Sequence, residues 1–153
     1  MLRILLAEDN RGDVMLVQKA LEEHHLAHEL RVVTDGEEAL QFIHKMGTSD
    51  AMPCPDLLVL DLNLPKADGP EVLREFREHP ECAETPVIVV SSSDSPRDRT
   101  RMNALGVNRY FRKPTDLEAF MELGAVVRKL LGGEPEVTAI VFPKTAVQRG
   151  AVP

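Results

Sequence analysis

Residues 56–65 read DLLVLDLNLP, and this run decides how the rest of the chain is read. Leu57 to Leu60 are apolar without interruption and lead straight into Asp61. A strand that is apolar on both faces belongs in the middle of a parallel sheet, covered by helices on both sides. A carboxylate at the end of such a strand is costly, because burial disfavours the ionised form. Arg3-Ile4-Leu5-Leu6-Ala7 and Val87-Ile88-Val89-Val90 have the same two-faced apolar character. Weaker strands around Leu30 to Val33 and Val107 to Phe111 carry more polar residues and belong nearer the sheet edges.

Amphipathic stretches fill the gaps between these strands. Val14, Val17 and Leu21 share one helical face. Asp35 before Gly36-Glu37-Glu38 is an N-cap with an acid at the third helical position, and Ala39, Leu40, Ile43 and Met46 follow at helical spacing. Val72, Leu73 and Phe76 mark a third helix after Gly69-Pro70. Ser95-Pro96 with Asp98 opens a fourth helix that is only weakly apolar, through Met102 and Leu105. Leu117, Phe120, Gly124, Val127 and Leu131 set a fifth, which Gly132-Gly133 ends. Strand and helix alternate five times, and right-handed crossovers turn that pattern into an α/β, doubly wound, three-layer (βα)5 fold. The loop from Gly47 to Pro55 is longer than usual.

The chain has 153 residues, one domain with a little to spare, of which 43% are hydrophobic and 28% charged. A net charge of −7 argues against a nucleic-acid partner and against an anionic membrane surface. No run has the length of a membrane span, and MLRILLAEDN is too short for an export signal, so the cytoplasm is expected. Cys54 and Cys82 form no CxxC and no metal-ligand cluster, and reduced, unpaired thiols are expected.

In open α/β sheets, ligands bind beyond the carboxyl ends of the strands. Those ends are Glu8-Asp9, Asp61, Ser91 and Arg112-Lys113-Pro114. Gathered carboxylates repel one another, and a hard divalent cation such as Mg²⁺ relieves that repulsion. Acids, a metal, a lysine and a hydroxyl on one rim suit phosphoryl transfer, with Asp61 placed to attack phosphorus and form an acyl phosphate.

With Glu8-Asp9, DLNLP (61–65), Ser91 and Lys113-Pro114 at family-like spacing, the sequence resembles the receiver domains of two-component response regulators, the CheY-like family. The resemblance covers about residues 2 to 131. It implies a five-stranded parallel sheet of order 2-1-3-4-5. It implies that Asp61 accepts a phosphoryl group from a sensor histidine kinase. Asp9, Asp61 and the backbone carbonyl of Asn63 would ligate Mg²⁺ (or Mn²⁺), and Glu8 would help through a water. Glu8 stands where Asp is commoner in the family. Ser91 and Lys113 would bind phosphoryl oxygens. Ser91 and Tyr110 would form the conformational switch, and Asn63 and Ser93 would tune dephosphorylation. The Lys113–Pro114 peptide would be cis. The segments EDNRGDV, LVQKALEE and DLNLPKADG further resemble small single-domain receivers paired with bacterial phytochrome kinases.

Other residues have plainer readings. Asp13 and Asp68 read as caps or surface acids. His24 and His28 stand four apart but read as surface histidines. Arg97, Arg99 and Arg101, interleaved with Asp98, read as a solvated helix face. The expected division is a receiver domain over 1–132 and a C-terminal extension over 133–153. Within the extension, EVTAIVF (136–142) alternates like a short strand that would pair with a second copy in a homodimer.

The expected function is that of a phosphorylatable response regulator with no output domain of its own, signalling to a downstream protein or by dimerisation. Three other classes compete. A haloacid-dehalogenase-like phosphatase would want a second Asp where Asn63 stands. A flavodoxin-like flavin binder would not put Glu8-Asp9 in its phosphate loop. A receiver-like docking module would be expected to lack a site residue, and none is missing.

Overall fold

The computed structural model describes residues 1–46, 53–93 and 95–132. The expected strand at 136–142, its role in a homodimer, and most of the 47–55 loop lie outside the described residues. Five strands, β1 (Leu2–Ala7), β2 (His28–Val33), β3 (Leu57–Leu60), β4 (Val87–Ser91) and β5 (Arg109–Arg112), form one parallel sheet of order β2-β1-β3-β4-β5. Burial follows that order: β3 and β4 are buried throughout, while the edge strands β2 and β5 keep exposed residues. The polar content of the weaker strand segments is thus an edge signal.

The period of two along each central strand divides the core. Ile4, Leu6, Leu57, Val59, Ile88 and Val90 face one layer, built from α1 (Arg11–Glu23), α5 (Leu117–Phe120) and α6 (Glu122–Leu130). Leu5, Ala7, Leu58, Leu60, Val87 and Val89 face the other, built from α2 (Gly36–Lys45), α3 (Gly69–Glu78) and α4 (Pro96–Ala104). The helix starts are written in the sequence: Asn10, Asp35, Asp68, Ser95 and Asp116 each accept a backbone N–H of the following turn. Pro at the start of α3 and α4 costs no hydrogen bond there.

Three expectations need correction. The fifth helix is broken at Met121, where the Gly124 N–H bonds back three residues to the Met121 carbonyl. That tightened turn needs neither Gly nor Pro and leaves no mark in the pattern. Cys54 and Cys82 are joined by a disulfide rather than free. α3 carries the chain back along the sheet, and the short 3-10 turn Pro80–Cys82 brings the two Cα atoms to 5.8 Å. Closing a loop of 28 residues removes about 3.6 kcal/mol of unfolded-chain entropy. The Lys113–Pro114 peptide is trans, as are all described peptide bonds, in keeping with a trans preference of roughly 0.5–1 kcal/mol before proline.

Two close approaches need glycine, one at the carboxyl edge of the sheet and one between α1 and α6. A Cβ on Gly36 would lie 1.9 Å from the Ala67 carbonyl oxygen, and the Gly36 N–H donates to the Pro65 carbonyl at 2.9 Å. Only glycine lets the segment after Asp61 lie against the start of α2. Likewise α1 and α6 meet so closely that a Cβ on Gly124 would fall 2.3 Å from the His24 ring. His24 is therefore half-buried at the end of α1 rather than a surface residue.

Candidate functional site at the carboxyl edge of the sheet

Each functional backbone is held by one further rung of the sheet ladder. The Glu8 N–H donates to the Val33 carbonyl at 2.9 Å and the Asp61 N–H to the Ala7 carbonyl at 3.0 Å. The Lys113 N–H donates to the Ser91 carbonyl at 2.7 Å. These residues sit on the rigid end of the sheet rather than on loops, which fixes their side chains relative to one another.

The side chains converge. Carboxylate oxygens of Glu8, Asp9 and Asp61 lie within 4.8 Å of one another. Glu8 and Asp61 are buried, and Asp9 is exposed at the mouth. Lys113 Nζ lies 2.9 Å from Glu8 Oε1, 3.2 Å from Asp61 Oδ2 and 2.7 Å from Asp13 Oδ2. Asp13, read from sequence as a cap or surface acid, is thus part of the site. Asn10 is the cap: its Oδ1 accepts the Asp13 N–H at 2.9 Å, which leaves the Asp13 carboxylate free to turn to Lys113. The DNRGD spacing holds that signal, since an acid at the third helical position of α1 is one turn from the rim. The Asn63 N–H donates to Asp61 Oδ1 at 3.0 Å, and the Asn10 N–H to Glu8 Oε2 at 3.1 Å.

Ser91 ends β4 and is fully buried; its hydroxyl accepts the Ser93 N–H at 3.1 Å. Tyr110 stands apart from the acids, on β5, with its hydroxyl donating to the Ser93 carbonyl at 3.0 Å. Ser93 in turn donates to Asp98 Oδ2 at 2.6 Å. His24 and His28 have no place in the acidic group, the one cluster of three potential metal-ligating side chains among the described residues.

The charge balance is uneven: four carboxylates share one ammonium. Burial is the main reason the Glu8 carboxyl is pushed up to about 7; the Lys113 hydrogen bond opposes it and the Asp61 charge adds to it. Burial also works against the Lys113 ammonium, but hydrogen bonds to Asp13 and Glu8 and the charges of Asp61 and Glu8 outweigh it and raise its pKa. Hard oxygen donors at this spacing, in net negative surroundings, fit a divalent cation such as Mg²⁺ or Mn²⁺.

The Glu8 shift makes stability depend on pH. Its folded-state pKa of about 7 lies above the ordinary 4.5, so the folded chain holds more protons between those values. Stability in a chelator therefore falls as pH rises through that window. Glu8→Gln is expected to raise Tm by about 5 °C at pH 8 and by much less at pH 5. Excess Mg²⁺ is expected to close the gap at pH 8. Thermal melts at the two pH values check this.

Comparison with known proteins agrees with this geometry. A sequence model of the response regulator receiver domain matches residues 4–124. The response regulator Rcp1 of Synechocystis sp. is 38% identical over 120 residues, which are 78% of this chain and 82% of Rcp1. The crystal structure of the phosphorylated cyanobacterial phytochrome response regulator RcpA superposes with a TM-score of 0.77 at 34% identity, over 90% of this chain and 99% of that one. The Mn²⁺-bound form of Rcp1 gives the same TM-score and identity, over 91% of this chain and 100% of that one.

Proposed function

Since the chain belongs to the response regulator receiver domain family, and so to two-component signalling, we propose that Asp61 is its phosphoacceptor. The observation that carries this is the convergence of Glu8, Asp9 and Asp61 within 4.8 Å, with Lys113 Nζ at 3.2 Å from Asp61 Oδ2. An Asp61 carboxylate oxygen attacks the phosphorus of a phosphohistidine on a histidine kinase. The P–O bond forms as the P–N bond breaks, and the bonding pair returns to the imidazole nitrogen. Asp61 becomes an acyl phosphate.

Asp9, Asp61 and the Asn63 carbonyl would hold the cation, with Glu8 beside it. Bound there, it supplies positive charge to the transferring phosphoryl oxygens. Lys113 releases part of its hold on Asp61 and pairs with a phosphoryl oxygen, remaining tied to Asp13 and Glu8. The Ser91 hydroxyl donates to another. Asn63 is exposed beside Asp61, and Ser93 lies two residues past Ser91. Both stand where side chains control the approach of the water that removes the phosphate. The chain thus catalyses its own phosphorylation and dephosphorylation and turns over no separate metabolite.

The partner kinase is of the phytochrome class, on the support of the likeness to RcpA. The output is a protein surface read by a second partner. Among the described residues no helix is long and apolar enough to cross a membrane. The test is intact-protein mass after incubation with acetyl phosphate. One added phosphoryl group is expected with Mg²⁺ and none with a chelator; equal modification in both would overturn the reading.

A further inference from the structure

Lys113 brings three N–H donors and no acceptor to the rim, and three carboxylates lie within their reach. Asp13 Oδ2 is the nearest at 2.7 Å, ahead of Glu8 Oε1 at 2.9 Å and Asp61 Oδ2 at 3.2 Å. The three acids are not equivalent. Glu8 and Asp61 belong, with Asp9, to the cluster within 4.8 Å that suits a cation, and Asp61 carries the reacting oxygen. Asp13 has neither task. It is also firmly placed: its N–H donates to Asn10 Oδ1 at 2.9 Å, and it is the third residue of α1, whose inner face packs on the sheet. It therefore meets Lys113 from a packed helix, across 100 residues of chain.

The lysine needs such an anchor. It lies just past the end of β5, its stem has four rotatable carbons, and its side chain is 13% exposed. With a cation among the acids, the Glu8 and Asp61 charges are shared with it, and the ammonium is repelled by it. With a phosphoryl group on Asp61, the Asp61 contact is given up as well. Asp13 alone then keeps an undivided negative charge for Lys113.

We propose that Asp13 is a positioning residue that holds the Lys113 ammonium beside Asp61 while a cation and a phosphoryl group engage the other acids. This rests on the reading of Asp61 as the phosphoacceptor. The sign of the effect separates positioning from plain electrostatics. A phosphoryl group is an anion, so removing a nearby carboxylate would by itself favour its binding. Loss of positioning does the opposite, because the ammonium that should meet a phosphoryl oxygen is free to swing into solvent. An acid on the first turn also suits the α1 dipole, but that contribution does not need Lys113.

The test uses the full chain in saturating Mg²⁺, titrated with beryllofluoride and followed by fluorine NMR. Beryllofluoride mimics the phosphoryl group without being hydrolysed. The wild type is expected to bind saturably and Asp61→Asn not at all. Asp13→Asn keeps the shape and removes the charge. It is expected to need about 10-fold more beryllofluoride, the scale for losing a group that orients a contacting side chain. In a Lys113→Met background the same change is expected to cost nothing further, since no ammonium remains to be placed. A metal-free arm uses thermal melts in a chelator. Asp13→Asn is expected to lower Tm by roughly 3 °C when Lys113 is present and to raise it in the Lys113→Met background, where it only relieves repulsion.

Beryllofluoride binding by Asp13→Asn as tight as wild type, or tighter, would overturn the proposal. So would an equal loss in the Lys113→Met background, or a Tm change of the same sign in both backgrounds. A wild type that does not bind, or an Asp61→Asn variant that binds equally, overturns the phosphoacceptor reading and this inference with it. Asp13→Ala removes the acceptor too; it is expected to lose at least as much and decides the question if Asp13→Asn does not fold.

Discussion

Asp61→Asn, incubated with acetyl phosphate and Mg²⁺, is expected to give no shifted band on a phosphate-affinity gel under conditions that fully shift the wild type. The amide has no anionic oxygen to attack phosphorus and offers the cation only a neutral oxygen. Losses of at least about 100-fold in modification rate are the scale for removing a nucleophile. The variant should stay folded. Asn fills nearly the same space in a site that is 6% exposed, and it removes one of several mutually repelling charges beside Glu8. A Tm at or above that of the wild type, measured in a chelator, separates loss of chemistry from loss of structure. A band of wild-type intensity would place the phosphoacceptor elsewhere.

Lys113→Met is expected to have the largest effect on stability. In the wild type one ammonium lies within 3.2 Å of Glu8, Asp13 and Asp61. Methionine matches its length but leaves those acids facing one another with no counter-charge. Removing one partner from a buried ionic group costs about 3–5 kcal/mol. For a domain of this size that corresponds to a Tm lower by roughly 10–20 °C in a chelator. Mg²⁺ should restore much of the loss, because a cation among the acids replaces the missing charge. Phosphotransfer should remain slow even with Mg²⁺, since no ammonium is left for the phosphoryl oxygens. Equal melts for variant and wild type in a chelator would show that Lys113 does not balance these acids.

The sheet and the rim were legible for one physical reason. Strands buried on both faces must be apolar throughout, so Leu57–Leu60 and Val87–Val90 stand out, and a polar residue at their ends has few structural excuses. The convergence of Glu8, Asp9, Asp61 and Lys113 at the strand ends follows from that, whereas the strand order was implied only by the family resemblance those residues carry. Features that depend on distant segments meeting were not legible. Asp13 and Lys113 are separated by 100 residues, and the DNRGD spacing puts Asp13 one turn from the rim without naming the partner it turns to. Cys54 and Cys82 carry no local motif; only the return of the chain along α3 makes them neighbours. The break at Met121 arises from a tightened turn within an unbroken apolar stripe. The hub at Ser93 sits in the plain run Ser91-Ser92-Ser93, where composition cannot say which hydroxyl has which partner.

The Cys54–Cys82 link ties the feet of the two strands whose heads carry Asp61 and Ser91. It acts like the pivot pin of a fan. Relative sliding is restrained at that end, so a rearrangement between β3 and β4 is expected at the opposite end, where Asp61 and Ser91 stand.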